Sequence, residues 1–173
     1  MVNIKGELIK IKAFVFDVDG VFSSTKVILH PMGEPMRTMN IRDGYAVQLA
    51  IKKGFNIAII TGAKSNAVKK RFTYLGVKDI YMNSRNKIES FTHYIHKYSL
   101  NPDDILYMGD DMPDYEIMKM VGFPACPADA AEEIKSISRY ISSKIGGEGC
   151  VRDIIEQTLK LQGKWMDNDA FTW

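Results

Sequence analysis

The chain has 173 residues, enough for one α/β core, with 46% hydrophobic and 25% charged residues, the balance of an ordinary globular protein rather than a disordered one. Its 23 basic and 21 acidic residues are interspersed, so no basic stripe of the kind that binds nucleic acid stands out. The longest apolar runs, such as Ile57–Ile60, are far below the ~20 residues needed to cross a bilayer.

The N-terminal segment is interrupted by Lys5, Glu7, Lys10 and Lys12 and has no continuous apolar stretch of the signal-peptide type. Cys126 and Cys150 lack metal-type spacing and read as reduced thiols. Together these features predict a cytoplasmic protein.

Along the chain, Ile11–Phe16, Asn56–Ile60, Asp79–Met82 and Ile105–Met108 are short apolar runs of strand length, suited to burial on both faces. Phe123–Cys126 and Tyr140–Ser142 are shorter strand candidates. Between them, Gly44–Lys53, Asn66–Leu75, Lys87–Tyr98, Asp114–Met120, Ala128–Ser136 and Val151–Leu161 carry helical patterns. Gly54, Gly76 and Gly122 each follow a predicted helix, where a C-terminal cap takes positive φ. This alternation predicts a Rossmann-like, doubly wound α/β fold with a mostly parallel sheet. One segment interrupts it. Lys26–His30 and Glu34–Met39 flank Pro31-Met32-Gly33 and predict a β-hairpin after the first strand, where the rhythm calls for a helix. The tail after Gly163 shows no periodicity and is expected to fray, with Trp165 and Trp173 packing on a neighbour.

Polar residues that directly follow strands of a parallel sheet converge on one crevice. Here the first strand ends in Asp17-Val18-Asp19-Gly20, the second in Thr61-Gly62, and the fourth in Gly109-Asp110-Asp111 with Asp114 beyond; Lys87 begins the helix after the third. Alone, each is ordinary: a DxD in a turn, a Thr-Gly strand exit, acids at a helix start, a solvated lysine. In this order they form one constellation. Asp17 and Asp110 suit a hard cation such as Mg²⁺, and Asp17 can attack a phosphorus to give an aspartyl-phosphate. Asp19 can protonate the leaving oxygen and then deprotonate water. Thr61 and Lys87 can hold the phosphoryl oxygens, and Gly20 lets backbone amides come close to the phosphate. Asp111 and Asp114 stand behind the direct ligands.

These motifs resemble the haloacid dehalogenase superfamily. Asn40-Ile41-Arg42-Asp43-Gly44-Tyr45, Gly146–Asp153 and Gln162-Gly163-Lys164 resemble segments of the 3-deoxy-D-manno-octulosonate 8-phosphate phosphatases within it, so that the likeness covers roughly residues 10 to 167. The resemblance implies a single phosphatase domain over 1–173 without a cap domain. It also implies a homotetramer centred on the hairpins, and removal of phosphate from an eight-carbon keto-sugar acid during lipopolysaccharide synthesis. It implies Asp17, Asp19 (through its backbone carbonyl) and Asp110 as Mg²⁺ ligands. Asn40, Arg42, Asp43, Gly44, Arg71 and Arg152 would line the substrate site. The chain departs from the pattern at Ala63 and Gln48, where relatives often carry arginine. A phosphatase acting on 2-keto-3-deoxynononate 9-phosphate is the related alternative, although relatives of that kind carry Glu at the position of Ala63. A phospho-accepting receiver module and a non-catalytic oligomerisation domain are alternatives of other classes. The order of the motifs disfavours the first, and the intact catalytic positions disfavour the second.

Overall fold

In the computed structural model, which describes residues 4–172, the first strand decides the layering. In β1 (Ala13–Phe16) side chains alternate between faces, so Phe14 and Phe16 enter one core while Ala13 and Val15 enter the other. The remaining strands are β2 (Asn56–Ile60), β3 (Asp79–Tyr81), β4 (Ile105–Met108), β5 (Phe123–Cys126) and β6 (Tyr140–Ile141). They pair in the order β3-β2-β1-β4-β5-β6, every pair parallel. The expected doubly wound sheet is therefore present, and wholly parallel. Among the described residues no cap domain is inserted.

The helices are α1 (Ile4–Leu8), α2 (Ile41–Lys52), α3 (Asn66–Tyr74), α4 (Lys87–Tyr98), α5 (Tyr115–Met120), α6 (Glu132–Ile137) and α7 (Cys150–Leu161). Residues of α2, α3 and α7 share the core of Phe14 and Phe16; those of α4, α5 and α6 share that of Ala13 and Val15. Burying each such phenylalanine contributes roughly 1.5–3 kcal/mol. Both cysteines are free and buried.

Several sequence expectations are revised. The short α1 carries too few residues to show a periodicity. Helix α6 begins at Glu132 rather than Ala128, because the Ala128 and Ala131 amides are spent outside it, on the carbonyls of Lys144 and Asp110. Gly54 and Gly76 take positive φ as expected, but Gly122 does not. Its lack of a side chain serves contact instead: a Cβ there would stand 2.1 Å from the Asp103 carbonyl oxygen.

The hairpin closes through a turn in which the Gly33 amide donates to His30 O. Its arms are extended but form only one antiparallel bridge, Ile28 with Met36, rather than two regular strands. It is tethered by Ser65 Oγ donating to Glu34 at 2.6 Å. The C-terminal segment, expected to fray, ends in a 3-10 turn at Asn168–Phe171 and is fastened to α2. Tyr45 donates to the Ala170 carbonyl, and Lys53 pairs with Asp167 and Asp169. Trp165 packs edge-on against Tyr45; Trp173 lies outside the described residues.

Candidate active site

The strand order places β1 beside β4, so the residues after Phe16 and Met108 meet although more than half the chain separates them. The Asp17 amide continues the ladder by donating to Met108 O at 3.1 Å. This is the point where the winding of the sheet reverses, the crevice in which such folds bind ligands. A cleft of about 540 Å³ opens there, lined by Asp17, Asp19, Gly20, Thr61, Lys87, Asp110, Asp111 and Asp114. The predicted acids, hydroxyl and lysine are thus brought together.

Asp17 is buried, with Oδ2 2.9 Å from Lys87 Nζ. Lys87 also donates to Asp114 Oδ1 at 2.7 Å, and Tyr107 Oη donates to that same oxygen. The Asp110 amide donates to Asp114 Oδ2 at 3.2 Å. Asp114 is therefore fully engaged and serves to orient Lys87 and the β4 exit. Asp111 is exposed and caps the turn Met112–Asp114 through the Met112 amide. Thr61 is buried, its Oγ1 accepting from the Ala63 amide at 3.1 Å.

The carboxylates crowd one another. Burial, and then Asp114, push Asp17 up to about 7, with Lys87 pulling against them. Burial, then Asp17 and Asp114, push Asp110 up to about 8. Burial alone would lower Lys87, but Asp17 and Asp114 outweigh it and hold the ammonium charged. Oxygen atoms of Asp17, Asp110 and Asp114 lie within 4.8 Å of one another. Hard oxygen donors with more negative charge than Lys87 can offset are a fitting environment for a divalent cation, and Asp17 with Asp110 offers ligands less engaged than Asp114. Gly20 shapes this corner. Its φ is +82°, and a Cβ would stand 1.9 Å from Asp110 Oδ2.

The residues expected around the substrate distribute themselves differently. Arg71 lines a separate cavity between the hairpin and α3, and its guanidinium lies across Gly44, where a Cβ would approach Nη2 to 2.5 Å. Asn40 caps α2 by accepting from the Arg42 amide. Asn40, Arg42 and Arg152 line a third groove beside α7. Arg152 pairs with Glu156 and stacks over Tyr45 and Trp165. Asp43 is completely buried and caps α7 from α2, Oδ1 accepting from the Arg152 amide at 2.7 Å. Burial pushes it up to about 6, against the hydrogen bonds from Arg152 and Gly149. Ala63 lines the cleft of Asp17 and Asp110. Gln48 Oε1 is buried without a partner among the described residues.

Two arginines were not anticipated. Arg85 lines the cleft two residues before Lys87, and its guanidinium makes no ion pair among the described residues. Arg37, on the second arm of the hairpin, grips Asp19: Nε donates to Oδ1 at 2.5 Å and Nη2 to Oδ2 at 2.9 Å. Neither lies in a motif, and Arg37 reaches the site only because the hairpin folds back.

Comparison with known proteins bears on this geometry. Residues 75–152 match the family model of haloacid dehalogenase-like hydrolases. Over 154 residues the chain is 34% identical to the 3-deoxy-D-manno-octulosonate 8-phosphate phosphatase of Escherichia coli K12, covering 89% of this chain and 82% of that protein. The chain belongs to the 3-deoxy-D-manno-octulosonate 8-phosphate phosphatase family. As a member it is a phosphoric monoester hydrolase of haloacid dehalogenase type. A Moraxella catarrhalis phosphatase of the same name, solved with magnesium, phosphate and KDO, superposes with a TM-score of 0.90 at 31% identity, covering 94% of each chain. The Yersinia pestis phosphatase superposes with a TM-score of 0.90 at 28% identity, covering 93% of this chain and 87% of that one. Among the described residues no helix is long and apolar enough to cross a membrane.

Proposed function

We propose that the chain hydrolyses 3-deoxy-D-manno-octulosonate 8-phosphate to the free sugar acid and phosphate, with Mg²⁺ and with Asp17 as nucleophile. The observation that carries the reading is the Asp17–Lys87 contact of 2.9 Å on the floor of a cleft shared with Asp19, Thr61 and Asp110. Asp17 attacks phosphorus in line, forming an acyl-phosphate bond as the ester P–O bond breaks, and Asp19 passes a proton to the departing alkoxide. Asp19 then takes a proton from the water that attacks phosphorus, releasing phosphate and restoring Asp17. Lys87 and Thr61 bind the equatorial oxygens, whose charge grows more exposed in the transition state. Asp17 and Asp110 would hold Mg²⁺, which would supply the positive charge that lets a carboxylate approach a phosphate.

The chain acts, in this reading, as one domain in the cytoplasm, in lipopolysaccharide synthesis, and as a homotetramer. Support for assembly comes from the hairpin, where Ile28, Leu29, Met32 and Met36 are all exposed. The test is phosphate release across a panel of keto-sugar acid phosphates, including the nine-carbon homologue, and simple sugar phosphates. A clear preference for the eight-carbon acid is expected; comparable rates on every ester would overturn the substrate. An Asp17→Asn protein that still turned over at a near-normal rate would overturn the nucleophile.

A further inference from the structure

Asp19 is the residue assigned to proton transfer, yet both of its carboxylate oxygens are occupied. Arg37 holds them in a two-point fork, 2.5 Å to Oδ1 and 2.9 Å to Oδ2, and Ser23 Oγ adds a bond to Oδ1 at 3.0 Å. With both oxygens held this way, neither is at liberty to deliver a proton to a leaving alkoxide. The remaining Arg37 nitrogen, Nη1, donates to Pro35 O within the hairpin itself. The Arg37 side chain is only 8% exposed while that of Asp19 is 38% exposed, so the fork is presented from within the hairpin to an accessible acid.

Arg37 also lines a second cavity, of about 760 Å³, between the hairpin and α3. Arg37, Lys70 and Arg71 bring three cations to that cavity, against the single acid Glu34, which already accepts from Ser65. The ion pair therefore joins a wall of the catalytic cleft, Asp19, to a wall of a cationic cavity large enough for a sugar acid.

We propose that Arg37 determines specificity by exchanging partners: the carboxylate of a sugar acid entering the second cavity takes the guanidinium fork and frees both Asp19 oxygens, so that Asp19 can take a proton from solvent and pass it to the leaving oxygen. The planar fork suits either carboxylate equally well, and the exchange makes and breaks no covalent bond. A phosphate ester without a carboxylate leaves Asp19 clamped and turns over slowly. The proposal rests on the reading of Asp19 as the acid–base.

Steady-state kinetics with Mg²⁺ test it, on 3-deoxy-D-manno-octulosonate 8-phosphate and glycerol 3-phosphate, for wild type, Arg37→Met, Arg37→Lys and Asp19→Asn. Arg37→Met is expected to raise KM for the sugar acid about 10- to 100-fold, the loss of a charge-assisted contact. It is also expected to raise kcat on glycerol 3-phosphate, because Asp19 is released. Arg37→Lys, a point charge without a fork, should recover only part of the sugar-acid KM. A parallel loss of kcat/KM on both esters in both Arg37 variants would reduce Arg37 to a structural contact and overturn the exchange; so would unchanged values on both. Asp19→Asn separates the two layers. Wild-type turnover in that variant defeats the acid–base assignment and the proposal with it. An inactive Asp19→Asn beside unaltered discrimination in the Arg37 variants defeats the exchange alone.

Discussion

Lys87 and Asp114 form a buried ion pair, Nζ to Oδ1 2.7 Å, at the back of the catalytic cleft. Because Tyr107 and the Asp110 amide bond the same carboxylate, Asp114 fixes the lysine that faces Asp17. Removing one member of a buried pair costs about 3–5 kcal/mol. Asp114→Asn should therefore lower the thermal unfolding midpoint and reduce kcat together. Calorimetry and phosphate release check this; a midpoint and a kcat both at wild-type values would show that Asp114 orients nothing.

The crowding of Asp17 and Asp110 makes stability depend on pH and on metal. Their folded values, about 7 and about 8, lie above the ordinary aspartate value of 3.8, so the folded protein binds more protons than the unfolded chain across that window. Stability contributed by the protonated acids is lost as pH rises through the window. With metal chelated, the unfolding midpoint should fall between about pH 5 and about pH 8. Mg²⁺ should restore it, more at the upper end than at the lower, because the cation competes with protons there. Asp110→Asn should flatten the fall and remove most of the Mg²⁺ effect. A metal shift of equal size at both ends of the range would contradict this.

Asp43 offers a test of structure apart from chemistry. Its carboxylate caps α7 from a neighbouring helix, and caps of this kind contribute about 0.5–2 kcal/mol. Asp43→Ala should destabilise the fold by about that amount. Asp43→Asn retains an acceptor and should cost less. Since burial pushes Asp43 up to about 6, its charge works against folding as pH rises toward that value, and the Asn variant should lack that slope. Denaturant titrations near pH 4 and near pH 7 measure both effects.

Leu29 and Met32 are 82% and 85% exposed at the hairpin, an expense of apolar surface that assembly would recover. Leu29→Asp combined with Met32→Asp should convert the proposed tetramer to smaller species in light scattering. Wild-type protein that is monomeric at micromolar concentration would refute assembly through this surface.

Asp17, Thr61 and Asp110 were legible because each lies within two residues of the end of an apolar run of strand length, and parallel pairing sends such ends to one edge. Helix ends were legible where Gly54 and Gly76 mark them. What escaped depends on chain returns. Arg37 meets Asp19 only after the hairpin doubles back, and no local pattern encodes that meeting. The capping of α7 by Asp43 depends on how α2 lies against α7. The start of α6 was misplaced because its preceding amides pair with distant carbonyls, a choice that alanine content does not reveal.

Since Asp17 and Asp110 become neighbours only when Phe16 and Met108 come into register, the site cannot exist in a nascent chain that has not yet delivered β4. A shift of that register by one residue would turn Asp110 to the opposite side of the sheet. Acquisition of metal binding during refolding is thus a late event, and a direct readout that the two halves of the sheet have joined correctly.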